Sequence, residues 1–287
     1  MVFPLGLFFS KPLGTTDWAN LDASGVHIVM VPWALAGTAT LNQFAQRGLS
    51  VVLRMTGEDM SGTTPAAALT VLHQARAICN VIAVILGVEP DSPVLSLDYS
   101  SPDWRIARAQ DHAAKLGLWL EGLAGHGVQL ITPGWMQRGV AVESGGFAPG
   151  QISWARAVSS VYDKADGNGV HIYMFGWPGL SASRRNFSLG SPIDEFRFRA
   201  CISYWQAVWH KPLWIDEANI DPHKGTKVDR MRACLGMARC LRDNPSVGGR
   251  VAFFCPFVSN GFGGSFDPGF IMDDPACYVE VKKFISE

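Results

Sequence analysis

The feature that most limits how this chain can fold is an eightfold alternation: a short run rich in Val, Ile, Leu and Phe, a loop, then a stretch with apolar residues at helical spacing. This alternation signals a parallel sheet covered by helices. The runs are Leu5 to Phe9, Val26 to Val31, Ser50 to Met55, Val81 to Leu86, Val128 to Thr132, Val170 to Phe175, Pro212 to Asp216 and Arg250 to Cys255. Helices are predicted near residues 15 to 24, 39 to 47, 65 to 79, 102 to 125, 150 to 165, 192 to 209, 226 to 243 and 275 to 285. Eight strands and eight helices close a barrel, so the expected fold class is α/β, a (β/α)8 TIM barrel, with residues 1–287 as one domain.

Local punctuation agrees. Thr64-Pro65, Ser101-Pro102 and Ser191-Pro192 each place a capping hydroxyl before a proline at the first helical position. Gly48, Gly127, Gly169 and Gly249 precede strands, where a helix must stop and the chain turn back. A doubly wound open sheet is the main rival fold; it predicts GxGxxG after the first strand, and Leu5 to Thr15 contains none.

A formal net charge of -1 argues against a broad electrostatic footprint for nucleic acid or an acidic membrane, so partners are expected to be chosen by shape and local polarity. The cysteines Cys79, Cys201, Cys234, Cys240, Cys255 and Cys277 form no CxxC pair and are expected mostly as buried thiols. Met1 to Phe9 is apolar but lacks a basic start and a cleavage pattern, and it reads as a first strand rather than a signal peptide. No apolar run approaches the about 18 residues of a spanning helix. The expectation is a soluble protein, cytoplasmic, or secreted if a leader has been removed.

In such a barrel, reacting groups sit at the carboxyl ends of the strands. Two carboxylates stand there. Glu89 follows the fourth run in Val84-Ile85-Leu86-Gly87-Val88-Glu89-Pro90, and Glu217 ends the seventh in Leu213-Trp214-Ile215-Asp216-Glu217-Ala218-Asn219. A carboxylate directly after an apolar strand is costly to desolvate unless it faces a polar cavity, which a barrel mouth provides. Strands four and seven stand nearly across that mouth. Two carboxyl groups about 5 to 5.5 Å apart are what a retaining glycosidase needs. Each glutamate taken alone also fits a loop or salt-bridge residue.

With these residues in place, the sequence resembles the clan A glycoside hydrolases, the retaining barrel enzymes that include cellulases, mannanases and xylosidases. In that clan the acid/base glutamate follows strand four in Asn-Glu-Pro and the nucleophile ends strand seven; Glu89-Pro90 and Glu217 match. The clan also tends to carry His-x-Tyr on strand six, with the tyrosine bonded to the nucleophile, and His171-Ile172-Tyr173 matches. Period-two alternation puts His171 and Tyr173 on one face. The resemblance spans the chain as an architecture, and its motifs are short.

There are departures. Val88 replaces the asparagine that binds the sugar 2-hydroxyl in the clan, a contact worth several kcal/mol in the transition state. Its loss implies weaker catalysis or a different sugar. The strand-two arginine of many members is missing from Val29-Met30-Val31-Pro32-Trp33; Arg54, ending strand three, either supplies that guanidinium or is structural. The strand-eight tryptophan is absent, and Phe254 or Phe257 would replace it.

Trp33, Trp135 and Trp177 all follow strands, and their flat faces suit pyranose rings, although each fits a core or loop anchor as well. Arg184 and Arg185, in the loop from Gly176 to Ser191, suit either an acidic sugar or phosphate or, more simply, a solvated face. The glycine-rich loop Ser259 to Ser265 suits a phosphate cradle or a cleft rim. Glu58 and Asp59, after strand three, either bind substrate or are solvated.

Other chemistries fit less well. Strand one offers no His-x-His, and His27, His73, His112, His126, His210 and His223 are scattered, so no metal is expected. No predicted strand carries a Schiff-base lysine. The leading expectation is a retaining glycoside hydrolase of an oligo- or polysaccharide, acting by double displacement without a cofactor. Its expected catalytic residues are Glu89, Glu217 and Tyr173, with His171, Arg54, Trp33, Trp135, Trp177 and Phe257 binding substrate. The alternative is a catalytically weak or inactive glycan-binding barrel. The expected partner is carbohydrate, with neither nucleic acid nor membrane; oligomeric state is left open.

Overall fold

In the computed structural model, structure is described for residues 3–88, 90, 106–136, 149–173, 192–219, 226–256 and 274–287. Eight parallel strands lie in chain order in one sheet: β1 (Gly6–Phe8), β2 (Ile28–Pro32), β3 (Ser50–Met55), β4 (Asn80–Leu86), β5 (Gln129–Met136), β6 (Gly167–Tyr173), β7 (Leu213–Asn219) and β8 (Val251–Pro256). The ring closes where Leu5 bridges Phe254 and the Phe254 N–H donates to the Pro4 carbonyl at 3.0 Å. The expected (β/α)8 barrel is therefore the fold, and all eight predicted runs became strands.

Between the strands run α1 (Thr15–Ser24), α2 (Thr38–Gln46), α3 (Gly57–Gly62), α4 (Pro65–Ile78), α5 (Ile106–Leu123), α6 (Pro149–Tyr162), α7 (Pro192–Val208), α8 (Lys227–Arg242), α9 (Pro245–Gly248) and α10 (Pro275–Ser286). The sequence reading had not separated the short α3 and α9. α4 begins as its sequence implied: the Thr64 hydroxyl accepts from Ala67 N–H, with Pro65 in the first turn. Ser101-Pro102 and Ser191 lie outside the described residues.

Two apolar layers follow from strand alternation. Val29 and Val31 of β2, and Val51, Leu53 and Met55 of β3, pack outward with the helices. Phe8, Met30, Val52, Ile85, Ile131, Trp214, Phe253 and Cys255 fill the barrel interior. Glycines make room for the large interior rings. A Cβ on Gly6 would lie 2.5 Å from the Phe253 ring, and one on Gly167 would lie 2.5 Å from Trp214.

Gly48 and Gly127 turn the chain into strands with positive φ, 64° and 70°, as expected of helix stops. Gly169 is a correction. It lies inside β6, where a Cβ would meet the Thr132 carbonyl oxygen at 2.5 Å and Gly134 N at 2.7 Å. Its role is close backbone approach between β5 and β6. Gly249 follows the short α9 with right-handed geometry, so it needs no special conformation. All six cysteines are free and buried, as the sequence implied. No helix among the described residues is long and apolar enough to cross a membrane.

Candidate active site

The carboxyl end of β7 departs from simple alternation. Ile215 and Ala218 both pack in the outer layer, although regular pleating would put residues three apart on opposite faces. The register explains this: Val170 and His171 of β6 face Ile215 and Glu217, and Phe254 and Pro256 of β8 face Ile215 and Ala218. β7 therefore carries one extra residue against both neighbours, a β-bulge. The bulge lets Asp216 and Glu217, adjacent in the chain, both turn away from the helices.

Both carboxylates reach His171 of β6. His171 Nε2 lies 3.2 Å from Asp216 Oδ2, and Nδ1 lies 3.5 Å from Glu217 Oε2. Arg54 arrives from β3, with Nη2 donating to Glu217 Oε1 at 2.5 Å and Nε 3.9 Å from Asp216 Oδ2. Its guanidinium carbon stands 5.4 Å from the centre of the Phe8 ring. Asp216 and His171 are fully buried, while Arg54 and Glu217 keep 5% and 6% of their surface exposed. At such depth a carboxylate stays ionised only if positive charge or hydrogen bonds replace water, and Arg54 supplies both to Glu217. Cys255 of β8 adds no charge: burial, then the nearby Asp216 carboxylate, push its thiol well above the usual range.

The fit from below depends on Gly134. β5 is also bulged, since Thr132 and Trp135 face Asn168 and Val170, and Pro133 and Gly134 occupy the irregular stretch. A Cβ on Gly134 would lie 2.3 Å from His171 Cδ2 and Nε2 and 2.6 Å from Asp216 Oδ1. Only a hydrogen leaves the imidazole and carboxylate their places.

The other candidates fall into three groups. Val88 bridges Gly134, which brings the end of the fourth strand beside the His171 support, but Glu89 itself lies outside the described residues, as do Trp177, Phe257, Arg184, Arg185 and the 259–265 loop. Tyr173 pairs with Asn219 in the sheet; its side chain, like that of Glu58, also lies outside the description. Trp33 stands half-buried just beyond β2, opening a short 3-10 helix that ends at Leu35.

Trp135 and Phe254 are corrections. Trp135 is fully buried in an aromatic cluster with Trp154, Tyr162, Trp205 and Trp209, and its Nε1–H donates to Tyr162 Oη at 2.8 Å. The β5 bulge turns it toward α6 and α7, so it presents no face to a sugar. Phe254 packs in the outer layer near Phe3, while Phe253 and Cys255 point inward. Asp59 binds back to the Thr56 N–H at 2.7 Å and caps α3.

Sequence reasoning missed Asp216 as a partner of His171, and Gly134 and Gly169 as their support. One signal was present: two adjacent carboxylates in a strand buried on both faces cannot both avoid apolar surroundings unless the strand bulges. Among the described residues no group of three or more His, Cys, Asp or Glu side chains is arranged to hold a metal ion.

No protein-family model matches the sequence, and no curated protein does. Solved structures share the fold, and glycoside hydrolases stand among them. A GH128 (subgroup II) endo-β-1,3-glucanase from Sorangium cellulosum has a TM-score of 0.56 at 17% identity, over 97% of this chain and 98% of that one. The catalytic domain of a GH26 endo-β-1,4-mannanase from Bacillus sp. JAMB-750 gives 0.57 at 9% identity, over 99% and 86%. The endoglucanase Cel5A of Pseudomonas stutzeri gives 0.56 at 13% identity, over 98% and 93%. At these identities the likeness is one of fold, the (β/α)8 barrel.

Proposed function

We propose that the chain is a retaining glycoside hydrolase of an oligo- or polysaccharide, with residues 1–287 acting as one catalytic barrel. The observation that carries this reading is Glu217: a carboxylate at the carboxyl end of β7, turned inward by a bulge and held by Arg54 at 2.5 Å. That is where a barrel glycosidase places its nucleophile. The glucanase and mannanase named among the fold neighbours support a polysaccharide substrate.

In the proposed mechanism, Glu217 attacks the anomeric carbon as the bond to the leaving oxygen breaks. Glu89 gives that oxygen its proton, then takes one from the water that cleaves the glycosyl ester. The reading requires the two carboxyl groups to stand about 5 to 5.5 Å apart. Tyr173 orients Glu217, and Trp33 and Trp177 offer faces to sugar rings.

The test is a panel of aryl glycosides with wild type and Glu217→Gln, together with a 2-fluoro glycoside that traps the ester. Turnover lost in the variant, and a glycosyl adduct on Glu217 by mass spectrometry, are expected. A wild type that turns over nothing and forms no adduct, yet binds glycan, favours the second reading, an inactive glycan-binding barrel. Val88 is the feature behind that reading, since no side-chain amide stands at its position to meet a 2-hydroxyl.

A further inference from the structure

We propose that Asp216 is a positioning residue: it keeps the His171 imidazole doubly protonated, Nε2–H toward Asp216 and Nδ1–H toward Glu217, so that Glu217 lies between two cations. The inference rests on Glu217 being the reacting carboxylate, and it concerns how that carboxylate is held.

It comes from counting protons. Each ring nitrogen of His171 faces a different carboxylate, at 3.2 and 3.5 Å. A neutral imidazole carries one N–H, so with both acids ionised one nitrogen lone pair would face carboxylate oxygen in a buried place. One further proton removes that conflict, and on the imidazole it makes both contacts hydrogen bonds. Among the described residues the charges then balance, Arg54 and His171 against Asp216 and Glu217. Asp216 needs this partner, because its Oδ1 makes no hydrogen bond among the described residues and the Arg54 Nε stands 3.9 Å from its Oδ2. An ionised carboxylate in that place requires a full positive charge in contact.

The groups around the ring bear on the same balance. From β7 two carboxylates favour the imidazolium; from β3 the Arg54 Nη2, 3.4 Å from His171 Nε2, opposes it, as does burial. β5 contributes Gly134 and no charge, and the Cys255 thiol on β8 stays neutral. Among the described groups two anions face the ring against one cation, which favours the protonated form. Once Glu217 becomes an ester its charge is gone, and of the two carboxylates facing the imidazolium only Asp216 is left, which loosens the extra proton. Asp216 thus couples the protonation of His171 to the state of Glu217.

The experiment follows the His171 ring nitrogens by NMR in histidine-labelled full-length protein, wild type and Asp216→Asn, with pH profiles on an aryl glycoside beside it. Expected are two ring N–H protons on His171 at pH 7 in wild type, and a titration midpoint lower by about one pH unit or more in the isosteric variant. A fall of about 10- to 100-fold in kcat/KM, the usual effect of losing a supporting partner, accompanies a displaced pH profile. A wild-type ring that is neutral at pH 7, or a midpoint unmoved by the substitution, overturns the inference. Should the variant not fold, the wild-type ring at pH 7 decides alone. If the ring behaves as expected while wild type hydrolyses no glycoside, the functional reading fails and the coupling stands. If Glu217-dependent hydrolysis is present with a neutral ring, the reverse holds.

Discussion

Arg54 and Glu217 stand 163 residues apart in the chain, and the guanidinium donates to the carboxylate at 2.5 Å with both side chains almost wholly buried. Removing one member of such a pair strands the other charge, at a cost of about 3 to 5 kcal/mol. Arg54→Met is therefore expected to lower stability by that order in urea at pH 7. Arg54→Met combined with Glu217→Gln removes both charges and regains a large part of the loss. Losses that simply add in the double variant would show that the pair is not coupled.

Gly134→Ala tests the support beneath the site. Its methyl would have to occupy space 2.3 Å from the His171 ring, and that ring lies between two strands and two carboxylates. The expectation is a loss of about 1 to 3 kcal/mol of stability, as for overpacking elsewhere, and at least a tenfold fall in glycosidase activity on the proposed reading. Gly117→Ala is the control: in α5 its Cβ meets nothing within 4 Å, and a gain of about 0.5 to 1 kcal/mol is expected. Unchanged activity in Gly134→Ala would separate His171 from the chemistry.

The barrel was legible because each strand buried on both faces leaves a run such as Val51-Val52-Leu53, and each helix a 3.6-residue stripe. Glu217 and His171 were legible as polar residues where those runs end. The bulges were not. Nothing in Thr132-Pro133-Gly134-Trp135 states which way Trp135 turns, and the extra residue in β5 sends it outward into the Trp154, Tyr162 and Trp209 cluster. The same single-residue offset in β7 brings Asp216 beside Glu217, which period-two counting would have placed on the opposite face.

That displacement separates two tryptophans which the sequence treats alike. Trp135→Phe removes the 2.8 Å bond to Tyr162 Oη and some packing, so it is expected to cost about 1 to 2 kcal/mol while leaving glycan affinity within twofold. Trp33→Ala, at a half-buried position beyond β2 where the ring also packs on the outer core, is expected to weaken glycan binding by about 1 kcal/mol or more beside its stability cost. Calorimetric titration with an oligosaccharide and urea melts read both. A large affinity loss in Trp135→Phe would contradict its burial.

His112 governs a pH dependence that lies away from the proposed chemistry. It stacks on Trp154, with centroids 5.8 Å apart, and its Nε2 lies 3.3 Å from Tyr162 Oη. Burial, aided by the charges of Arg108 and Lys115, lowers its pKa from 6.5 to about 4. In the unfolded chain the ring takes a proton near pH 6.5, whereas the folded protein keeps it neutral to about pH 4. Between those values the unfolded state binds more protons, so stability must fall as pH is lowered through that window and level off below it. The full shift corresponds to a contribution on the order of 3 kcal/mol, present above pH 6.5. His112→Gln keeps a polar group near Tyr162 and removes the titration. Urea melts of both proteins at pH 7 and pH 4.5 are expected to show the wild type losing more stability than the variant by about 2 kcal/mol. Equal losses would mean that the ring takes up its proton freely in the folded state, against the burial that lowers its pKa.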